Sequence, residues 1–294
     1  MNIEKRVKDT IEKYGLLRKD KKEKVVVALS GGKDSTSVLY LLHKLGYDVD
    51  GLMIDLKLGK WSELNRQNMK QFCDALGIDF YVIDLRKEFG NGICFIRQKV
   101  KQYKGNERLT DCYICGIVKT WLLNKKAKQL KADKLVTGHN LDDELQTVLM
   151  NFLKGNIKLG LNSSPSTGSL NKDNKSNMDE VKRGFVQRIK PLFFIPENDI
   201  REYSNKKKLP VVYEKCPCSS YSYRIKTREW IESLELDNIQ KLEIVRNFQK
   251  LIPKIKPDTS EKGDSGILQY CSVCGEPCKS EICKFCQILN NKIV

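Results

Sequence analysis

The sequence predicts an α/β protein with a doubly wound parallel sheet and a small cysteine-rich module near its C-terminal end. Short apolar runs rich in β-branched residues alternate with helix-length segments through the first half of the chain, which is typical of a parallel sheet covered by helices on both faces. The 294 residues are enough for one large domain and a small module. Two CxxC pairs between residues 271 and 286 mark the module.

Four strands and five helices are predicted for residues 1–154. Val25–Leu29 is an unbroken apolar run, which indicates a strand buried on both faces. The other predicted strands are 47–54, 79–85 and 134–137. The predicted helices are 1–22, 35–45, 62–76, 115–131 and 142–154.

The alternating pattern breaks at residues 156–184. Residues 162–177 are rich in Ser, Asn, Gly and Lys, so a mobile loop without a core of its own is predicted. The fold resumes at 187–194, and helices are predicted at 196–208 and 224–252. A polar linker at 257–266 follows. We therefore expect three parts: an N-terminal helix at 1–22, the main domain at 23–256, and the linker with its module at 257–294.

The composition excludes several classes of protein. Hydrophobic residues are 40% and charged residues 31% of the chain, which is typical of a globular protein with a real core. The first 15 residues are charged and have no apolar core, so they do not form a signal peptide. No apolar run reaches the ~18 residues of a membrane span. We expect a cytoplasmic protein without a membrane partner.

The net charge and the cysteine content limit the kinds of ligand that the protein could bind. A net charge of +16 favours a polyanion such as nucleic acid, although a solvated lysine-rich surface would give the same number. Eleven cysteines in a reducing compartment indicate metal ligands or reactive thiols rather than disulfides. With two histidines in the whole chain, any metal site must be built mostly from sulfur.

Three loops should meet at one rim of the sheet. They are residues 30–35, 55–61 and 137–143, and each follows a predicted parallel strand. Ligands of such sheets bind beyond the carboxyl ends of the strands. Asp55, at the end of the second strand, is therefore a candidate ligand of a cofactor.

The first loop has the features of an anion site. A strand, the segment SGGKDS and a helix place backbone amides and the positive end of the helix dipole at one point, and Lys33 adds a charge. It is not a Walker A loop, because Val27 stands at the first glycine position and Asp34 follows the lysine. An ordinary glycine turn is the alternative. The segment resembles the pyrophosphate loop of the N-type ATP pyrophosphatases, or PP-loop enzymes, which cleave ATP between the α and β phosphates and adenylate their substrate. The resemblance implies ATP binding by Ser30, Gly31, Gly32, Lys33, Asp34 and Ser35.

The third loop carries the segment TGHNLDDE. Two adjacent carboxylates, Asp142 and Asp143, near a triphosphate suggest a Mg²⁺ site, and helix N-capping is the alternative. The segment resembles the tRNA 2-thiolation branch of the superfamily, the TtuA-like and TtcA-like enzymes. The resemblance implies cofactor binding by Gly138, His139, Asp142 and Asp143, and it includes Asp142 among the catalytic residues.

A CxxC pair and a distant Cys-Pro extend the resemblance. In TtuA-like enzymes three cysteines hold a [4Fe-4S] cluster with one iron free of protein ligands, which implies this role for Cys112, Cys115 and Cys216. Lys119 matches a basic position that faces ATP and the substrate. Lys215 and Cys218 depart from the family pattern. Catalysis by two thiols through a persulfide, without a cluster, stays an alternative.

The tail reads CSVCGEPCKSEICKFC. Two CxxC knuckles predict a tetrahedral zinc site on Cys271, Cys274, Cys283 and Cys286. Cys278 is expected to be a spare thiol, and Cys73 and Cys94 to be buried small hydrophobic residues. The tail resembles the C-terminal zinc finger of TtuA-like enzymes, whereas their N-terminal zinc finger has no counterpart here.

Together these resemblances imply an ATP-dependent tRNA 2-thiouridine synthetase that adenylates the uridine C2 oxygen and replaces it with sulfur. The expected partners are tRNA and a sulfur donor, which is a ubiquitin-like thiocarboxylate carrier, a persulfide or sulfide. Cytidine 2-thiolation, an amide-forming ligase and a non-enzymatic RNA-binding protein are the alternatives. Assembly as a homodimer is left open.

Overall fold

The computed structural model describes residues 2–103, 105–156, 160, 163–167, 184–214, 216–218, 223–255 and 269–289. The predicted linker at 257–266 and most of the predicted loop at 162–177 lie outside these residues. In the described part of that loop, a short edge strand extends the sheet.

A six-stranded sheet forms the centre of the molecule. Its order is β3-β2-β1-β4-β6-β5, and every pairing is parallel except that of β5 with β6. This arrangement confirms the predicted doubly wound sheet. The strands of this sheet are β1 (Val25–Leu29), β2 (Val49–Asp55), β3 (Phe80–Asp84), β4 (Lys134–Val136), β5 (Ser166–Thr167) and β6 (Gln187–Ile189).

Helices cover both faces of the sheet. They are α1 (Ile3–Lys13), α2 (Lys33–Lys44), α3 (Lys60–Leu76), α4 (Leu85–Phe89), α5 (Ile93–Gln102), α6 (Asp111–Gln129), α7 (Leu141–Leu153), α8 (Glu197–Lys206), α9 (Tyr223–Ser233) and α10 (Asn238–Ile255). The small elements near the C-terminal end are β7 (Gln269–Tyr270), β8 (Pro277–Cys278) and α11 (Lys284–Ile288).

The apolar run of β1 explains why the sheet is central. Val25 and Val27 pack in one buried cluster with α1 and α2, whereas Val26 points to the opposite face and packs with Leu52 of β2 and Leu135 of β4. Side chains that alternate between two apolar layers need cover on both faces of the sheet.

Several boundaries differ from those expected. The first helix ends at Lys13, because Gly15 turns the chain with φ of 55° and returns the following leucines to the core. The segment 224–252 forms two helices, separated by a turn in which Glu235 has φ of 47°. Within 187–194, where the fold was expected to resume, strand β6 ends at Ile189, and the aromatic pair Phe193 and Phe194 packs against α7. Helices α4 and α5 had no predicted counterpart.

The tail packs directly on the main domain. The rings of Phe285 and Trp121 stack with their centroids 4.0 Å apart, and the Asn124 amide donates to the Glu276 carboxylate over 2.8 Å. The tail cysteines belong to the same buried cluster as helix α6. No helix in the described ranges is long and apolar enough to cross a membrane.

Candidate functional site

The topology marks one position on the sheet for a ligand. Strands β1 and β4 are neighbours, but the chain leaves β1 towards β2 and reaches β4 only after a crossover. Doubly wound sheets bind ligands at such a switch point, beyond the strand ends. The segments SGGKDS and TGHNLDDE follow these two strands, so the structure brings both predicted loops together.

The pyrophosphate loop, residues 30–35, leaves the start of α2 open. Gly32 is the N-cap residue and offers no side chain, so the first amides of the helix are left for a ligand. The Ser35 hydroxyl accepts from the Ser30 amide and donates to the Gly32 carbonyl, both over 3.1 Å. These bonds hold the loop in a narrow turn around the helix end.

Two glycines make this turn possible. Gly31 has φ of 79°, and a Cβ atom there would lie 1.8 Å from Asn65 Oδ1. A Cβ atom on Gly138 would lie 2.7 Å from the backbone nitrogen of Ser35. The third loop therefore rests against the backbone of the first, and any side chain at position 138 would push the two loops apart.

Lys33 lies at the centre of an ionic network. Its Nζ is 2.9 Å from Asp34 Oδ2 and 2.8 Å from Glu197 Oε1. Burial lowers the pKa of Lys33, but the two carboxylates raise it above the ordinary value, so the side chain stays charged. Burial raises the pKa of Asp34, which also accepts from Asn140. An anion that enters the loop meets a buried cation in competition with Glu197.

The paired carboxylates act as helix caps in this structure. Asp143 and Asn140 form a reciprocal capping box at the start of α7. Asp142 accepts from the Glu197 amide over 2.7 Å and from Lys241 Nζ over 2.8 Å. The capping alternative therefore describes these contacts. His139 is exposed, with Nδ1 2.9 Å from Thr137 Oγ1.

The acidic side chains of the rim do not form a ready-made magnesium site. In the described residues, no group of three of them brings its oxygens within 4.8 Å of one another. Asp34, Asp142 and Asp143 each contact a lysine or arginine. Asp55 is buried at the end of β2 and pairs with Lys57 over 2.9 Å. A magnesium role for these residues stays a prediction.

The predicted cluster cysteines reach the same rim by two routes. Helix α6 begins at Asp111, four residues earlier than expected, because Thr110 caps it, so Cys112 and Cys115 lie on its first turns. The segment before Cys216 is attached to the nucleotide side. The Val212 amide donates to the Gly31 carbonyl over 3.1 Å, and Trp61 Nε1 donates to the Glu214 carbonyl over 3.2 Å.

The surroundings of Cys115 show how these groups converge. Burial raises the pKa of Cys115 above its ordinary value. The charges of Lys119 and Arg97 lower this pKa, whereas the thiols of Cys216 and Cys112 raise it. All three thiols and two cations thus influence one position. The three sulfurs are not part of a group within 4.8 Å in the described chain. Thiolates are the usual ligands of [4Fe-4S] clusters, so the chemistry of these three side chains suits that group, and the cluster role stays a prediction.

Arg97 was not predicted, and it corrects the interpretation of Cys94. Arg97 is buried, and its Nη2 lies 3.0 Å from Cys94 Sγ and 3.0 Å from Cys218 Sγ. Cys94 is exposed rather than buried, because the buried face of α5 is formed by Ile93, Ile96, Arg97 and Val100. Cys73 is buried as expected, and burial raises its pKa to about 12.

The tail forms a compact thiol site. The sulfurs of Cys271, Cys274, Cys283 and Cys286 all lie within 4.8 Å of one another, and those of Cys274 and Cys283 are 3.6 Å apart. Four sulfurs ~2.3 Å from one tetrahedral zinc ion would be separated by about 3.8 Å. The Cys283 amide donates to Cys271 Sγ over 3.2 Å. The donor set therefore fits zinc.

Zinc content should distinguish the four ligands from the fifth cysteine of the tail. We expect Cys271→Ser and Cys286→Ser to lose the zinc ion, and Cys278→Ala to keep it, since Cys278 donates to the Ser280 carbonyl instead. Metal analysis measures this. Tryptophan fluorescence should shift to the red in the first two variants, because Trp121 loses its stacked partner. Zinc retained in Cys271→Ser would contradict the assignment.

Comparisons with known proteins agree with this arrangement. A family model described as the tRNA methyl transferase HUP domain matches residues 23–215. A tRNA-5-methyluridine(54) 2-sulfurtransferase of Pyrococcus horikoshii is 30% identical over 97% of this chain and 84% of its own. A probable sulfurtransferase of Methanocaldococcus jannaschii is 32% identical over 98% of this chain and 79% of its own.

A solved structure shows the same fold over almost the whole chain. The U34-tRNA thiolase NcsA from Methanococcus maripaludis, with its [4Fe-4S] cluster, gives a TM-score of 0.74 at 26% identity and covers 99% of this chain and 87% of its own. The chain belongs to the tRNA 2-thiolation sulfurtransferase family. The two relatives above are both named sulfurtransferases. These relatives match 97% and 98% of this chain, whereas the family model, whose description mentions methyl transfer, matches residues 23–215.

Proposed function

We propose that the chain is an ATP-dependent tRNA 2-thiouridine synthetase. One observation carries the proposal: the segment before Cys216 is hydrogen-bonded to Gly31, so the thiols and the pyrophosphate loop share one rim. A reaction that joins adenylation to sulfur transfer needs this proximity, because the activated base must meet sulfur without leaving the site. The thiolation relatives support the same assignment.

The loop residues would handle ATP. The open amides at the start of α2 and the Lys33 charge would hold the departing diphosphate, while Ser30 and Ser35 keep the loop closed. Gly31, Gly32 and Asp34 shape the same turn. We propose that Mg²⁺ arrives with ATP near Asp142 and Asp143, whose carboxylates would exchange their contacts with Lys241 and Arg224 for the ion. Gly138 and His139 form the opposite side, with Asp55 on the neighbouring strand end.

The reaction then has two steps. The uridine C2 oxygen attacks the α-phosphorus of ATP, and diphosphate leaves. A sulfur nucleophile adds to C2, and AMP leaves with the original oxygen. We propose that Cys112, Cys115 and Cys216 would hold a [4Fe-4S] cluster, which would supply an iron without a protein ligand for the incoming sulfur. Lys119 lies one helical turn after Cys115 and provides positive charge beside the leaving AMP.

The remaining partners follow from this role. The tRNA substrate accounts for the net charge of +16. The sulfur donor is a ubiquitin-like thiocarboxylate carrier, a persulfide or sulfide. The zinc site has a structural role beside the RNA, and a reducing cytoplasm suits the thiol ligands. Homodimer formation is an arrangement that mass measurement of the purified protein would test.

Nucleoside mass spectrometry tests the proposal. Anaerobically purified protein is incubated with unmodified tRNA, ATP and sulfide, and the tRNA is then digested. We expect ATP-dependent 2-thiouridine, with one AMP and one diphosphate per sulfur. Release of ADP and phosphate would contradict the pyrophosphatase chemistry, and 2-thiocytidine in place of 2-thiouridine would favour the cytidine alternative.

A further inference from the structure

We propose that a groove between α6, the start of α9 and the tail module holds the target nucleotide of the RNA, with its base unstacked. The inference rests on the proposed function and adds the place where the substrate base binds. Sequence-specific proteins usually recognise RNA through unpaired bases that stack on aromatic side chains.

The groove has the size and composition for such a ligand. It encloses about 740 Å³, within the ~300–1,000 Å³ of small-ligand pockets, and is too small for a duplex. Helix α6 forms one wall, from Thr110 to Asn124, and residues 276–285 of the tail form the opposite wall. Most of the lining is apolar, so an unstacked base would find surface to cover.

Exposed aromatic rings line the groove. The exposed fractions of Tyr113, Phe185 and Tyr223 are 46%, 39% and 42%. Aromatic side chains of this size are usually more deeply buried in a folded protein. Lys154 Nζ lies 4.3 Å from the centroid of the Tyr223 ring. A ring with a cation beside it is suited to stack a base and hold its phosphate.

The charge of the groove is complementary to RNA. Lys154, Arg224, Lys279 and Lys284 line it. The acidic residue of the lining, Glu276, is neutralised from the main domain, because Lys128 Nζ lies 2.7 Å from its carboxylate. The groove therefore presents a cationic edge beside apolar walls, whereas a peptide partner would need no such excess of positive charge.

The groove is continuous with the reaction centre at one end. Cys112 lines it, and Arg224 links its wall to the ATP rim through the Asp143 carboxylate over 3.3 Å. A nucleotide that enters between the tail and α6 would therefore point its base towards the thiols and the α-phosphate. This position is what transfer of sulfur to C2 requires.

Crosslinking locates the RNA directly. The probe is a tRNA transcript in which 5-iodouridine replaces uridine, irradiated on the intact protein without ATP. We expect crosslinked peptides that contain Tyr113, Phe185 or Tyr223. The readout is independent of thiolation: a wild-type protein that makes no 2-thiouridine but crosslinks in the groove would refute the proposed function alone. Crosslinks confined to other surfaces would overturn the groove.

Matched variants measure the energetic contribution. Tyr223→Ala should weaken tRNA binding about 10- to 100-fold in fluorescence anisotropy, which is the effect expected for one stacked base. Trp230→Ala is the control, since it removes a ring of similar exposure, 43%, from the same helix outside the groove lining. Equal affinities of both variants and the wild type would overturn the proposal.

The charged edge has its own control. Lys154→Glu should reduce the salt dependence of tRNA binding by about one phosphate contact. Lys8→Glu makes the same change of net charge at an exposed site on α1 and should leave the slope unaltered. The same slope change in both variants would mean that total charge, and not the groove, governs binding.

Discussion

Replacing Lys33 with alanine is expected to reduce the formation of AMP and diphosphate from ATP by about 100- to 1,000-fold, the usual cost of losing one preorganised donor to a developing negative charge. Lys33 is buried at the switch point, and its pKa is raised by Asp34 and Glu197. Its charge is therefore present before ATP arrives. Product analysis and single-turnover kinetics measure the loss.

The design must separate chemistry from folding. Without Lys33, the carboxylates of Asp34 and Glu197 lose a shared cation, so thermal unfolding is measured in parallel. Glu197 keeps Arg228 as a partner in Lys33→Ala, so Asp34 is the carboxylate that loses its lysine. Asp34→Asn combined with Lys33→Ala removes that charge, and it should recover stability without recovering turnover. Lys44→Ala, at the other end of the same helix, is the matched control and should retain wild-type turnover. Normal AMP formation by folded Lys33→Ala would refute the loop assignment.

The sequence predicts the contiguous parts of this site well. The strand, glycine turn and helix of the pyrophosphate loop lie within twenty residues, and each local preference favours the same structure. The CxxC pair lies on one helix, so its spacing alone places both thiols on one face. The four tail cysteines also occupy short knuckles. In each case the information is local, and no knowledge of the tertiary fold is needed.

The parts that were missed depend on contacts between distant segments. Glu197 pairs with Lys33 across 164 positions, and nothing near Pro196 indicates this partner. Arg97 was missed together with α5, although Ile93, Ile96 and Val100 are spaced for one helix face. That pattern could have predicted the helix. It could not have shown that Cys218, on a different segment, shares the guanidinium with Cys94.

The TGHNLDDE segment shows a limit of a different kind. Helix capping and magnesium binding were the two interpretations of Asp142 and Asp143. Acidic residues at the start of a helix near a phosphate site are suited to both roles, so the sequence could not separate them. The contacts to Lys241 and Arg224 come from α9 and α10, which the sequence pattern merged into one helix. These cations could be recognised only after the fold had placed both helices over the rim.

The largest effect on sulfur transfer is expected from the three candidate cluster cysteines. A reconstituted cluster holds about four irons per chain. We expect both this iron and all tRNA thiolation to be lost in each of the variants Cys112→Ala, Cys115→Ala and Cys216→Ala. Each variant removes one of only three thiolates, and two thiolates hold a cluster poorly. Iron analysis and the visible absorption of the cluster measure the loss independently of activity. The ATP loop is untouched by these changes, so binding of ATP should persist.

Two other cysteines of the same region supply the controls. Cys218 is two residues from Cys216, but its sulfur accepts from Arg97, and Cys94 shares that guanidinium from α5. We expect Cys218→Ala and Cys94→Ala to keep iron and thiolation, because both sulfurs are engaged by the Arg97 guanidinium. Loss of iron in Cys218→Ala would make it a fourth ligand and close the cluster. Full thiolation by iron-free wild-type protein would overturn the cluster chemistry. With sulfide as the sulfur source it would favour direct attack of sulfide on the adenylated base. With a persulfide donor it would favour a persulfide on Cys112 or Cys216, whose disulfide bond would then be cleaved by the other thiol.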